Sequence, residues 1–530
     1  MKKRILKLVC LLCSAILLFG ITACGNNAAG NSKSINFWGY GNEVELELTR
    51  ELVAEFNATN TQGITVNYTP VRTGDYEQKI RNALAGRSVP DVIMAGDGEI
   101  KPWIERGGLA TLDEFAAASD VIDIDAMYQE GVNRFRYDID QRRGGEGDLY
   151  GILRDLSPTA LFYNKKAFAA VGVEILTLSA EEQMEHYGTD AAYFEHNGQK
   201  YFSNQIALNW DELLELSQLL TSNEEAPVRS DGRRTKYGIY VTNWFGFGWS
   251  VGGDCLEWVE DPSLPRGGKY EFTLFDETAN YSVKEDQTVT VNGTTYTAGQ
   301  IIEYTDKDDL TEADKAKCYE LPSQLDAMEY FVDLSANWGV SPRPDVTASS
   351  SSHGVFTSGQ VAMLAAGVNS MGILRSTIYP EDHPAGFDWD VAPWPKAEHG
   401  IASGHSGSVA YCIPEKSNKK EAAWAFIEYA AGEPGQAKYA QAGFSYPNTK
   451  ELAQKLFIQE GAKPANAAIF FEAAEYQRMG DWGYLPSKAW ITEWSNDLNT
   501  KVLGGEVTLQ QLKAERQEST QAIIDGYYDE

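Results

Sequence analysis

The side chains able to do chemistry are spread along this chain rather than gathered. Six histidines are present, and none falls in a metal-ligand spacing: His186 and His196 sit in a polar stretch, while His399 and His405 stand among glycines. There is no HExxH, no CxxC, no phosphate-cradling P-loop and no GxGxxG after a strand. Gly404-His405-Ser406-Gly407 is out of register with the G-x-S-x-G of a nucleophile elbow. Carboxylates are too numerous for counting to exclude a glycosidase-type acid pair, but none stands in a catalytic signature. The residues assign no catalytic group, no metal and no cofactor.

Aromatic rings beside glycines and small polar groups are the stronger signal. Trp38-Gly39-Tyr40-Gly41 is one such stretch, and Trp394 follows Ala392-Pro393. Trp482 lies in Gly480-Asp481-Trp482-Gly483-Tyr484, and residues 244–254 (WFGFGWSVGGD) hold four aromatics and four glycines. An aromatic face is an apolar plate suited to the C–H face of a sugar ring. Carboxylates and amides can bond neighbouring hydroxyls. Any one of the 13 tryptophans is first of all a packing residue. The 244–254 cluster reads as ligand-facing, because so many glycines leave little with which to pack a core.

Such residues need a scaffold, and the pattern supplies one. Ile35-Asn36-Phe37-Trp38 reads as a strand, and Val44, Leu48, Leu52 and Phe56 as one face of a helix. Ile64–Tyr68 is the next strand, Tyr76, Ile80 and Leu84 mark a second helix, and Asp91–Met94 a third strand. Alternation of this kind predicts an α/β fold with a parallel sheet, its ligands beyond the carboxyl ends of the strands. The loops after Trp38 and Met94 are therefore candidate sites. A chain of 530 residues exceeds the roughly 250–300 that one core accommodates, so two lobes are expected. A second α/β region starts near 156, with helices at 211–220 and 321–335. Between them, about 256–320 reads as an insertion. Thr288–Val291 and Thr294–Thr297 form a hairpin on an Asn292-Gly293 turn, and Thr311 caps a short helix. The run Asp306-Lys307-Asp308-Asp309 lacks the glycine and closing glutamate of a calcium loop.

The N-terminus fixes the compartment. Lys2, Lys3, Arg4 and Lys7 precede an apolar run from Leu8 to Ile21, the form of an export signal and too short for a mature span. Ile21-Thr22-Ala23-Cys24 resembles the lipobox of bacterial lipoproteins, in which the cysteine is diacylated and becomes the new N-terminus. Two acyl chains give stable anchoring. Residues 1–23 are read as the signal peptide and 24–33 as a tether. Net charge is −31, or −35 without the signal peptide and its four basic residues. That balance argues against nucleic acid and against adsorption to anionic lipid. Cys255, Cys318 and Cys412 are then left. A Cys255–Cys318 disulfide is possible, and buried free thiols are favoured.

Several segments, in order, resemble the family-1 extracellular solute-binding proteins of bacterial ABC importers, the maltose-binding-protein class. They are INFWGYGNEVELELTRELVAEFNA (35–58), PDVIM with Gly96-Asp97, LYGILRDLSPTALFYNKKAF (149–168), NWDELLELSQLLT (209–221) and YGIYVTNWFGFGWSVGGD (237–254). FTSGQVAMLAAGVNS (356–370), FDWDVAPWPKAEHG (387–400) and PEKSNKKEAAWAFIEYAAGEPGQAKY (414–439) complete the set. Ile152-Leu153-Arg154 stands where the family often has a proline near the crossing strand, and Asn369 where it often has a tryptophan after Gly-x. The resemblance implies a type II two-lobe binding-protein fold with crossing hinge strands and ligand in the cleft. It puts the first lobe at about 34–153 plus 387–432 and the second at 154–386 plus 433–530. It places Trp38, Tyr40 and Asp97 on the first lobe and Asp155 and Tyr163 near the crossing. Trp244, Trp249, Asp254, Gly367 and Asn369 line the second, with Trp394 a further contact. The implied function is sugar capture for an ABC permease, not an enzyme, on the outer face of a Gram-positive-type membrane. The alternatives are a surface glycosidase or other polysaccharide-degrading lipoprotein, and a structural adhesin, which needs no deep cleft.

Overall fold

The computed structural model describes residues 33–529 except 87, 222–235, 243, 381–382, 384, 405–406 and 477–482. Cys24, the signal peptide and Trp482 lie outside the described residues.

The chain begins β1 (Ser34–Gly41), α1 (Glu43–Thr59), β2 (Thr65–Arg72), α2 (Thr73–Ala85), β3 (Val92–Gly96) and α3 (Asp97–Ile104). After a small antiparallel sheet within 136–149 come β4 (Ile152–Leu156) and β5 (Thr159–Asn164). Then follow β6 (Tyr237–Val241), β7 (Val361–Gly367), α4 (Ser370–Thr377), β8 (Trp389–Ala392) and β9 (Ser408–Cys412). Helices α5 (Lys420–Ala431), α6 (Glu433–Ala442) and α7 (Leu509–Asp529) are the last used below.

Two sheets organise the molecule. The first has the order β2-β1-β3-β9-β4, with β1, β2 and β3 parallel and β9 antiparallel to both β3 and β4. The second has the order β6-β7-β5-β8. The chain leaves the first sheet at Leu156 and enters the second at Thr159. It returns between Ala392 and Ser408, later than the expected 387, because β8 pairs with β5 in the second sheet. Helices α5 and α6 pack on β4 and α1, and Lys438 reaches Glu51 and Glu55 at 3.1 and 2.8 Å. They therefore sit with the first sheet, past the expected boundary at 432. All six residues of β5 are buried. Ala160 and Phe162 lie on the face of the second sheet whose core, with Leu364, Val391 and Phe470, runs on into that of the first, and Leu161 and Tyr163 lie in the core on its other face, as the two-residue period of a strand requires.

The sequence patterns translate locally as expected, with one shift. In α1 the buried face is Leu46, Thr49, Leu52, Val53 and Phe56. Val44 is 48% exposed, since the first turn overhangs the sheet. The Asn292-Gly293 turn has φ of +49° and +88°, the left-handed pair a type I′ turn needs. The 256–320 block is two structures, not one. Its first hairpin, Leu256–Glu260 with Gly268–Phe272, shares a core with Trp490, Trp494, Leu512 and Ile524 from the C-terminal helices. Its second part closes on Val283, Val289, Val291, Tyr296 and Leu310. Cys255, Cys318 and Cys412 are buried free thiols.

Candidate ligand-binding site

A cavity of about 410 Å³ opens where the two sheets meet. One wall comes from the first sheet: Tyr40, Glu45, Asp97, Asp155 and Ser408. The other comes from the second: Thr242, His353, Gly367, Asn369 and Ser370. Phe444 and Ser157, in the β4–β5 turn, complete the lining.

The first wall is built by helix capping and a strand bulge. Asn42 caps α1, accepting from Val44 N (2.9 Å) and Glu45 N (3.1 Å). The Glu45 carboxylate accepts from Asn42 N at 3.0 Å, a capping box that also sets this carboxylate at the cavity. Pairing of β4 with β9 slips between Val409 and Ala410, so that Asp155 faces Val409 and Leu153 faces Ala410. The extra residue is Arg154. A bulge turns two adjacent side chains toward one side. Arg154 Nε donates to Asp155 Oδ2 at 2.8 Å, with Nη2 on the same oxygen. Val409 N donates to Asp155 Oδ1 at 3.1 Å. Glu45 lies 4.0 Å from the guanidinium, which stacks 4.7 Å from the Tyr439 ring centre. Burial raises the carboxyls of Glu45 and Asp155 above the usual range.

Asp97 opens α3 and pairs with the fully buried Arg134 at 3.5 Å. Arg134 Nη1 donates to Ser408 Oγ at 2.9 Å, tying α3 to β9. Behind it, the Lys101 ammonium donates to the Arg134 carbonyl. Burial pulls Lys101 down to about 7. Across the cavity, His353 Nε2 lies 3.0 Å from Ser370 Oγ, and Ser157 Oγ lies 3.5 Å from Asn369 Oδ1. A methyl group on Gly367 would come within 2.5 Å of Ser157 Oγ, so glycine keeps this wall close to the crossing.

Of the residues singled out from sequence, the structure brings Tyr40, Asp97, Asp155, Gly367 and Asn369 together here. It places the others elsewhere. Trp38 is half-buried on the first core, with Lys79 Nζ 4.7 Å from its ring centre. Tyr163 is in the second core, its hydroxyl accepting from Asn204 Nδ2 at 3.1 Å. Trp249 and Trp394 are fully buried, and Trp244 packs 4.6 Å from Trp494. Asp254 accepts from Tyr484 OH at 2.5 Å and Cys255 N at 2.7 Å. The glycines of 244–254 explain this placement. A methyl group on Gly246 would lie 2.6 Å from the Trp394 ring, and one on Gly248 or Gly253 would run into Gln324. These glycines admit large neighbours to a core rather than thinning it.

Glu45, Arg154, Thr242, His353 and Ser370 were not anticipated. Glu45 was marked by its N3 position just after the Trp38–Gly41 stretch that ends β1, and Arg154 by its place beside Asp155. Nothing in the sequence marked His353. Among the described residues no three metal-ligating side chains converge, and no helix is long and apolar enough to cross a membrane.

Residues 51–468 match the family described as bacterial extracellular solute-binding protein. The chain belongs to that family. No match was found among curated proteins. Solved structures share the fold of this solute-binding protein. An ABC substrate-binding protein from Listeria monocytogenes, in complex with cycloalternan, has a TM-score of 0.63 at 18% identity, covering 93% of this chain and 99% of that one. The sugar-binding protein MalE of Xanthomonas citri gives 0.60 at 17%, covering 94% and 99%. UgpB of Mycobacterium tuberculosis, in complex with glycerophosphocholine, gives 0.59 at 16%, covering 93% and 99%. The family and these neighbours are binding proteins, and the type II two-lobe fold of this solute-binding protein is theirs.

Proposed function

We propose that this solute-binding protein captures a neutral sugar or oligosaccharide between its lobes and delivers it to the membrane subunits of an ABC importer. The observation that carries the reading is the charge arrangement of the cavity. Among the described lining residues Arg154 is the one guanidinium or ammonium group, and Asp155 and Glu45 take its charge. A ligand phosphate would have to displace those partners. Carboxylate and carbonyl acceptors on one wall, facing hydroxyl, imidazole and amide groups on the other, suit the hydroxyls of an uncharged sugar. The cycloalternan-bound neighbour and the sugar-binding MalE support the same class, and the glycerophosphocholine complex defines the competing one. Tyr40 and Phe444 are the rings available to a sugar face in the cavity.

The test is a calorimetric and thermal-shift comparison of neutral oligosaccharides with glycerophosphodiesters. A ligand at 100 times its Kd adds about 2.7 kcal/mol of stability. Stabilisation by a neutral sugar and none by the phosphodiester is expected. The reverse pattern, or hydrolysis of the sugar on long incubation, overturns the reading. Export, and anchoring on the outer face of the membrane through lipid on Cys24, complete the proposal. Cys24→Ser should then abolish lipidation and release the protein or leave it unprocessed, and a serine variant that still partitions into detergent like the parent would overturn the anchor.

A further inference from the structure

A bulge such as the one in β4 leaves its extra residue outside the strand ladder, and a buried carbonyl without a donor is strongly unfavourable. β4 is also the last strand of the first sheet, continued by one bridge in which Leu156 N and O lie 3.2 Å from Tyr446 O and N. The carbonyls at the bulge are met by two side-chain amides from the stretch of chain around Tyr446. Gln436 Nε2 donates to the Arg154 carbonyl at 2.6 Å, and Asn448 Nδ2 to the Leu153 carbonyl at 2.8 Å. The two residues are also bonded to each other, Asn448 N donating to Gln436 Oε1 at 3.0 Å. Asn448 Nδ2 reaches the carbonyl of Ala431, the last residue of α5, at 3.0 Å as well. Gln436 is 3% exposed and Asn448 fully buried, so water does not compete for these bonds.

The sequence brings Gln436 to this place. α6 follows α5 across Gly432 alone. Pro434 stands in its first turn, where a missing N–H leaves no helix bond unmade. A methyl group on Gly435 would lie 1.8 Å from the Ala430 carbonyl, so glycine lets α6 begin directly against the end of α5. Gln436 is the next residue. Neither amide lines the cavity, whereas Arg154 and Asp155 do. We infer that Gln436 and Asn448 are positioning residues of the binding site: their paired amides hold the β4 bulge, and the bulge sets Arg154 against Asp155 in the cavity wall. The peptide planes before and after Arg154 are both fixed through their carbonyls. With planar peptides this fixes the two free torsions of Arg154, which cannot return to a regular strand without giving up both bonds. The inference rests on the cavity being the binding site, not on the ligand being a sugar.

The experiment needs no ligand. Gln436→Met keeps the length of the side chain and removes its donor and acceptor. The readout is solvent exchange of the Arg154 Nε–H proton, whose resonance is identified by its absence in Arg154→Lys. In the parent this proton is held on Asp155 Oδ2 and should exchange slowly. In Gln436→Met its exchange should speed up about tenfold as the bulge opens locally. Gln183→Met is the control for the simple loss of a buried amide. Gln183 is fully buried outside the cavity lining, its Nε2 donating to the carbonyls of Thr189 and Ala191 at 3.2 and 2.8 Å. That variant should lower the melting temperature comparably and leave the Arg154 signal unchanged. Were Gln436→Met not to fold, Gln436→Asn would decide, since it keeps the amide but withdraws it by one methylene. An Arg154 proton that exchanges as in the parent in a folded Gln436 variant, or equally fast in Gln183→Met, would overturn the assignment. Inorganic phosphate tests the neutral-ligand reading separately. A parent Arg154 signal that moves with phosphate counts against a neutral ligand and leaves the exchange rates, measured without ligand, standing.

Discussion

Arg154 turns its guanidinium onto its own chain neighbour, with Nε 2.8 Å from Asp155 Oδ2 and both side chains buried. Neighbours in a regular strand face opposite ways, so this pair exists because β4 carries one residue more than β9 opposite it. The pair sits in the last turn of chain before the lobes separate. It also uses up the charge that would otherwise attract an anionic solute.

Asp155→Ala should therefore be costly. Breaking a buried pair by removing one partner costs about 3–5 kcal/mol. The low end is expected here because Glu45 remains 4.0 Å from the guanidinium. Urea unfolding of the variant measures this. A loss below about 1 kcal/mol, the scale of an exposed pair, would mean that Arg154 reaches water in solution.

The tryptophans give a prediction opposite in sense to the one their sequence context suggests. Trp249→Ala and Trp394→Ala remove fully buried rings and should each cost about 3–5 kcal/mol of stability. Trp244 is half-buried against Trp494 and Phe245, and its truncation should cost less. A variant at Trp249 with an unchanged melt and weakened sugar binding would restore the ligand-platform role.

The contrast shows what was legible. Periodicity carried the strands, the helices and the Asn292-Gly293 hairpin, because backbone preference and burial act over a few adjacent residues. The loops expected after Trp38 and Met94 are strand instead, β1 running to Gly41 and β3 to Gly96, yet the carboxyl ends of these strands do bring Tyr40 and Asp97 to the cavity. The direction of the 244–254 rings was not legible. It depends on Trp394 and Gln324, far away in sequence, filling the space above Gly246, Gly248 and Gly253. The Arg154 bulge was equally hidden, since register against β9 is a property of two strands and not of one. The split of the insertion followed from partners in the C-terminal helices that local pattern cannot show.

A pH dependence follows from Lys101. Its folded pKa is lowered by burial from 10.5 to about 7, offset in part by Asp97 and lowered further by Arg134. Between those two values the unfolded chain holds a proton that the folded chain has lost, so unfolding takes up protons and stability rises with pH. Below about 7 Lys101 is charged in both states and the burial penalty is present in full. Lys101→Met should flatten the stability curve between pH 7 and 9 and stabilise the protein at pH 6. A variant whose curve keeps the parent's slope would place the responsible group elsewhere.

Affinity should separate from stability on the second-lobe wall. Asn369 is exposed, and its contact to Ser157 is long at 3.5 Å, so Asn369→Ala leaves the unliganded melt unchanged. If its amide bonds a ligand hydroxyl, the loss is that of one hydrogen bond, about 0.5–1.5 kcal/mol, or roughly 2- to 12-fold in Kd. Gly367→Ala acts by volume instead. Its added methyl would meet Ser157 Oγ at 2.5 Å and Asn369 Oδ1 at 2.9 Å, pressing the wall away from the crossing. That variant should lose both affinity and some stability, because the contact is made with and without ligand. Isothermal titration and melting of the two variants side by side distinguish the cases. Equal melting losses in both would mean that Asn369 braces the crossing rather than reading the ligand.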